Sequence, residues 1–321
     1  MLINFVYNNK ELKIVKNEEL KDYLDKKDTY LWIRASDVSD EELAILKEMF
    51  NIHPTTVEDI FSTQTRVKYE EFEEYTLIIF KAIKSVTDNS IETHNMSFIL
   101  GENFLITVNG ENETIDNLSK NQKRVENLLK KGEDYILHNI LDKEVDKYLR
   151  IKTKAGEDLK KIEREFMENQ NRKTLQKIFS KELTFLELRQ LSESITDLFI
   201  DLTKPADNYI HNDLIPYFRD IYDHIFKTTE GYKSMLGRMN GMKNMYSSII
   251  TMRTNETIRS LTIIMALMMP LTIITGFYGM NVKLPLQDSP FASEFILLMM
   301  IFFSAMMIIF LRRRGWTSGR Y

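Results

Sequence analysis

Two long stretches in the last quarter of the chain carry no charge. Ser260 to Val282 reads SLTIIMALMMPLTIITGFYGMNV, and Phe295 to Leu311 reads FILLMMIFFSAMMIIFL. As a helix at about 1.5 Å per residue the first covers roughly 35 Å, enough for a bilayer core of about 30 Å. The second is shorter, and Phe291 and Ala292 extend it. Two such runs with polar sequence only in the turn between them read as a pair of transmembrane helices rather than a buried hairpin. Arg253 and Arg259 precede the first run and Arg312, Arg313 and Arg314 follow the second, while Lys283 alone lies in the connection. The excess of basic residues therefore places both termini in the cytoplasm and VKLPLQDSPFAS outside. Trp316, just past the arginines, suits the membrane interface.

The rest of the chain has a different texture. Charged residues make up 28% of the sequence, and almost all precede Asn255. The formal net charge of -4 lacks the basic bias of a nucleic-acid binder, so no nucleic-acid partner is expected. Cysteine is absent, which excludes disulfides, thiolate catalysis and cysteine-based zinc or iron-sulfur sites. The five histidines, His53, His94, His138, His211 and His224, are scattered and read as ordinary surface or core residues; no nucleophile motif accompanies them, and no enzyme is expected. A GxxxxGK[ST] loop is absent, so ATP is not expected as a partner. The N-terminal MLINFVYNNKELKIV lacks the pattern of a secretory signal.

The fold class expected is α+β. Alternation in LINFVY, ELKIV, TYLWIRA, YTLIIFKAI, MSFIL and NFLITV predicts short strands, and SDVSDEELAILKEMF and HPTTVED predict helices between them. Residues 1–112 thus form an N-terminal cytoplasmic α/β domain. Residues 113–205 read as a cytoplasmic helical bundle, interrupted near Gly132 and at MENQNRK, with two long helices packed antiparallel. A single helix is expected within 206–282, from about Pro216, on the order of 90 Å long, entering the membrane at about 260–280. Residues 283–292 are the outer loop, 293–312 the second span and 313–321 a cytoplasmic tail.

One face of the first span differs from the others. Asn255, Thr262, Met269 and Gly276 recur every seven residues, and Ile258, Met265, Thr272 and Gly279 interleave with them. A helix-dimer seam and a pore-lining face both fit that stripe. Gly279 is expected to close the helix with a left-handed cap, leaving Asn281 at the membrane mouth. Asn281 offers a neutral carboxamide oxygen. Magnesium sheds water reluctantly, so a ring of such oxygens from several subunits could hold the ion through its waters.

YGMN closing the first of two C-terminal spans, with an arginine-rich tail after the second, resembles the CorA family of divalent-metal transporters. The resemblance extends through NETIRSLTIIMALMMPLTIITGFYGMN and IPYFRDIYDH and, more loosely, HPTTVEDI. It implies a homopentamer in which long helices form a funnel lining the conduction path, in a cell membrane. It implies a selectivity entrance at Gly279, Met280 and Asn281, and pore-lining or gating roles for Asn255, Ile258, Leu261, Met265, Met269, Thr272 and Gly276. Magnesium is then both substrate and regulatory ligand, with cobalt or nickel as further substrates. YFRDIYDH nominates Asp220 as a metal ligand between cytoplasmic domains, with Asp223 and His224 nearby and Asp88 as the partner across the interface.

The loop after the motif departs from the family pattern. In place of an acidic MPEL-like segment it carries VKLPLQDSP, with Asp288 and Glu294 its only acids, which weakens any role in cation capture. Zinc transport, as in the ZntB branch, is the alternative with the same architecture. Zinc prefers imidazole or thiolate, and neither occurs after Asn255. A membrane-anchored helical scaffold without conduction is the alternative of another class.

Overall fold

The computed structural model describes residues 2–8, 11–24, 26, 28–36, 38–62, 65–87, 90–110, 112–204, 209–285 and 289–316. These fall into two compact units, 1–242 and 243–321.

The first unit is built on a seven-stranded sheet of order β2-β1-β3-β7-β6-β5-β4. Its strands are β1 (Leu2–Asn8), β2 (Glu11–Val15), β3 (Thr29–Ser36), β4 (Lys68–Glu71), β5 (Thr76–Val86), β6 (Ile91–Leu100) and β7 (Phe104–Asn109). Among the described residues only β3 and β7 pair in parallel. Six strands coincide with the apolar runs of the sequence. The seventh, β4, is the charged KYEE, whose lack of alternation hid it. It sits at the sheet edge, where Lys68 bridges Asp59 and Glu70 at 2.6 Å each, and charge there discourages pairing with another chain.

Both faces of the sheet are covered, which explains the near-continuous burial of Thr76 to Phe80. On one face Leu31, Ile33, Leu77, Ile79 and Ile106 share a core with Leu46 and Phe50 from around α2 (Asp40–Met49). Ser39 starts that helix with a capping box to Glu42, and Pro54 opens α3 (Pro54–Phe61). A short α1 (Lys21–Leu24) precedes β3. On the other face Trp32 stacks on Phe5 at 4.9 Å and donates its indole N–H to Thr107 Oγ1 at 3.2 Å.

That face also receives the helical layer: α4 (Glu113–Lys120), α5 (Gln122–Leu129), α6 (Asp134–Glu168) and α7 (Arg172–Leu202). Tyr148 of α6 is fully buried, meets Phe80 edge-on and donates to the Lys81 carbonyl at 2.6 Å. The break expected at MENQNRK is the turn between α6 and α7, where Asn171 caps the second helix by accepting from the Thr174 amide. α8 (Ile215–Tyr278) is one 64-residue helix that runs through Gly231, Gly237 and Gly241. At Gly231 a β-carbon would lie 2.5 Å from Lys152 Cε, so the lysine stem of α6 occupies the space that the missing side chain leaves.

His94 on β6 gives the first unit a pH signature. Its Nε2 lies 3.1 Å from Asn112 Nδ2. Burial holds the imidazole below its ordinary value; Glu144 opposes this, and Lys147 and Lys84 add to it. A histidine depressed in this way contributes stability that is fully present above its unfolded value and is lost as the pH falls through the folded one, because the unfolded chain takes up the proton first. His94→Gln is therefore expected to shrink the fall in melting temperature between about pH 7 and about pH 5.5, by calorimetry of the detergent-solubilised protein. An unchanged fall would mean that the imidazole stays accessible to protons in the folded chain.

In the second unit the remainder of α8 is followed by α9 (Ala292–Arg313). Arg259 donates from Nε to the Trp316 carbonyl at 2.8 Å and from a terminal nitrogen to that of Gly315. The chain past α9 thus returns beside the early part of the first apolar run, and a guanidinium satisfies two carbonyls just beyond the helix end. Both apolar helices are long enough to cross a membrane, and most of their side chains are exposed.

Candidate ion-conduction site

Along the first apolar run α8 presents two different faces. Ile274 is buried; Ile263, Ala266, Leu267, Pro270, Leu271 and Tyr278 are half-buried around the same side. In α9 Leu311 is buried, and Ile296, Met299, Met300, Ser304 and Met307 are half-buried. In both helices the less exposed residues fall on one side.

The expected stripe lies on the opposite side. Asn255, Ile258, Leu261, Met265, Met269, Thr272 and Gly276 are all exposed. At about 100° per residue, Ile258, Met265, Met269 and Gly276 project roughly 180° from Leu267 and Ile274. Thr262, which the seven-residue repeat included, is only half-exposed. Among the described residues the stripe is therefore left uncovered. Thr272 donates its hydroxyl to the Met268 carbonyl at 3.0 Å, which spends its proton within the helix and leaves oxygen lone pairs outward.

The helix closes differently from the expectation. Positive φ among the described glycines occurs at Gly132 and Gly315 and not at Gly279, so Gly279 is no left-handed cap. Its amide still bonds the Thr275 carbonyl at 2.9 Å, and Met280 tightens to the Phe277 carbonyl at 3.3 Å. The reason for glycine here is space: a β-carbon would lie 2.9 Å from the Thr275 oxygen. Met280 and Asn281 follow as exposed residues. In the loop beyond, Asp288 lies outside the described residues, and Glu294 is exposed in the first turn of α9.

The acidic stretch of α8 belongs to the first unit. Asp220 is 70% exposed, with His224 Nε2 3.9 Å from its Oδ2, and Asp223 is exposed. Asp88 lies outside the described residues. The structure adds residues that the motif did not suggest. His138 of α6 packs edge-on against Tyr217 and Phe218, and burial lowers its affinity for a proton. Burial raises the Asp142 carboxyl above its ordinary value; His138 and His224 oppose this, and Asp146 and Asp220 add to it. Asp142 and Asp146 stand four apart in ILDKEVDKY, a spacing visible in the sequence, but its proximity to Asp220 depends on how α6 meets α8.

Comparison with known proteins bears on the family and the fold. The profile of a family described as CorA-like Mg2+ transporter protein matches residues 27–313. The Thermotoga maritima cobalt/magnesium transport protein CorA is 28% identical over 281 residues, which cover 86% of this chain and 80% of that protein. The full-length structure of the CorA magnesium transporter from Methanocaldococcus jannaschii superposes with a TM-score of 0.78 at 21% identity, covering 98% of each chain. The ZntB cytoplasmic domain from Vibrio parahaemolyticus shares the fold at a TM-score of 0.60 and 10% identity, over 78% of this chain and 97% of that one. Two exposed apolar helices, an uncovered stripe ending in Gly-Met-Asn and a match over nearly the whole length lead to one assignment: the chain belongs to the CorA-like family of membrane transporters and is not an enzyme.

Proposed function

We propose that this protein conducts hydrated divalent cations, magnesium foremost, across the cell membrane into the cytoplasm. The observation that carries the reading is the stripe from Asn255 to Gly276. It is exposed, lies opposite the less exposed side of the helix and ends beside Asn281. Copies of the chain arranged around an axis, five in this reading, would place those stripes together and ring the mouth with Gly279, Met280 and Asn281. Both termini then lie in the cytoplasm, with membrane lipid against the remaining apolar faces. Without an ATP motif the driving force is the membrane potential. At about 2.3 kcal/mol per charge per 100 mV a divalent ion gains about 4.6 kcal/mol, enough for roughly thousandfold accumulation. Cobalt and nickel are further substrates.

Regulation follows from the acids of the first unit. Asp220, exposed in the single chain and close in charge terms to Asp142, is repelled by like charges that a bound magnesium ion would neutralise. Magnesium bound between subunits at Asp220, with Asp223, His224 and Asp88 as neighbouring ligands, then holds the assembly closed.

The test is uptake into liposomes under an inside-negative potential, for wild type and Asp220→Asn. Wild-type magnesium uptake should fall as magnesium is loaded inside, and Asp220→Asn should remain open at internal concentrations that close the wild type. Proton-coupled zinc movement without magnesium uptake would favour the ZntB-like alternative. Silence for every ion in verified liposomes would favour a scaffold.

A further inference from the structure

Three residues that the conduction path does not use meet where α6 begins. Glu133, immediately before the helix, has no exposed surface, and neither of its carboxylate oxygens has a hydrogen-bond partner. Asp134 is equally buried. Its Oδ2 accepts from the His211 amide at 2.8 Å and lies 2.9 Å from His211 Nδ1, while Oδ1 has no partner. One ligating atom from each of the three lies within 4.8 Å of the others. Among the described residues no lysine or arginine pairs with either carboxylate.

The backbone keeps this cluster open. Gly132 has a φ of +144°, and a β-carbon on it would fall 2.6 Å from Asp134 Oδ1 and 3.2 Å from His211 Cε1. Two adjacent buried carboxyls without a countercharge are costly. Burial above all, with Asp134 and Glu102 adding to it, pushes the Glu133 carboxyl up to about 9. A divalent cation would supply the missing charge and use the three orphaned oxygens. The positive end of α6 opposes a cation by roughly half a charge, which two carboxylates outweigh.

We propose that Glu133, Asp134 and His211 form an intrachain site for one divalent transition-metal ion. The donor set decides the class of metal. Two carboxylates and an imidazole suit zinc, manganese, cobalt or nickel, whereas magnesium favours oxygen donors alone. Ligands about 2.0–2.2 Å from zinc lie about 3.4 Å apart, so closure of separations that are within 4.8 Å by at most about 1.4 Å completes the site. The imidazole, 43% exposed, provides the access route and leaves room for water as a further ligand. The ion would tie α6 to the segment leading into α8, which Tyr135 already holds through Asp213 at 2.9 Å. This site lies within one chain and shares no residue with the stripe or with the Asp220 cluster, so it stands apart from the conduction reading.

The experiment uses the full-length protein in detergent, stripped with chelator and equilibrated with micromolar zinc in excess magnesium, which fills sites made of oxygen alone. Bound zinc per chain is counted by mass spectrometry, and absorption at the zinc edge reports its ligands. Wild type and Asp220→Asn should retain about one zinc ion per chain, with a nitrogen ligand in the absorption spectrum. Glu133→Gln and His211→Gln, melting normally without metal, should each bind at least about tenfold more weakly. Either variant that melts abnormally is set aside, and the other, with the ligand spectrum of the wild type, decides. Absence of zinc from the wild type, or equal retention by a well-folded variant, overturns the site.

Discussion

Replacing Asn281 by alanine is expected to abolish magnesium uptake while leaving the protein folded. The side chain is exposed beyond the last turn of α8 and belongs to no core, so its truncation opens no cavity. On the proposed function, what disappears is an acceptor for the water shell of the ion. One hydrogen bond involving a charged partner contributes about 1.5–3 kcal/mol, and each 1.4 kcal/mol is tenfold in occupancy. Repeated by several subunits around the mouth, the loss exceeds about a hundredfold. The measurement is initial uptake into liposomes under a fixed potential, with the melting temperature and assembly size of the variant checked beside it. Uptake within twofold of wild type, from a normally assembled variant, would remove Asn281 from the selectivity entrance.

A change of the opposite sign is expected in the middle of the first apolar helix. Met265 and Met269 are 51% and 63% exposed in the single chain, on the side opposite the less exposed residues of the helix. If that side lines the path, their thioethers make a constriction too apolar to stay wet, and a hydrated divalent ion meets a barrier there. An asparagine at either position supplies a carboxamide from each subunit and keeps water in the constriction. A barrier lowered by about 1.4 kcal/mol raises conductance tenfold. Met269→Asn should therefore leak cations in planar bilayers even with millimolar magnesium on the cytoplasmic face, a condition under which the proposed regulation closes the wild type. A variant that still closes completely would place this face against lipid or in a dry helix seam.

Much of this was legible in the residues. Apolar alternation located six of seven strands, and β4 escaped because an edge strand needs no apolar face. The cap at Ser39 and the proline opening α3 were visible because each acts within a few residues. The closure at Gly279 was read wrongly: glycine after a helix often signals a left-handed turn, but here the close approach of the Thr275 carbonyl sets the requirement. Asp142 and Asp146 passed unnoticed beside Asp220, since carboxylates on a solvated helix carry no sign of what packs opposite them. His211 looked ordinary for the same reason. Its partner Asp134 is 77 residues away.

By itself the sequence determined the two apolar helices, the arginine bias at their ends and the stripe with its Gly-Met-Asn terminus, because length, charge and helical period are properties of neighbouring residues. Only the tertiary structure decided which side of α8 is left exposed in the single chain, that β3 pairs in parallel with β7, and that Glu133, Asp134 and His211 converge. Those outcomes depend on how distant apolar surfaces bury one another, and no local pattern records the partner.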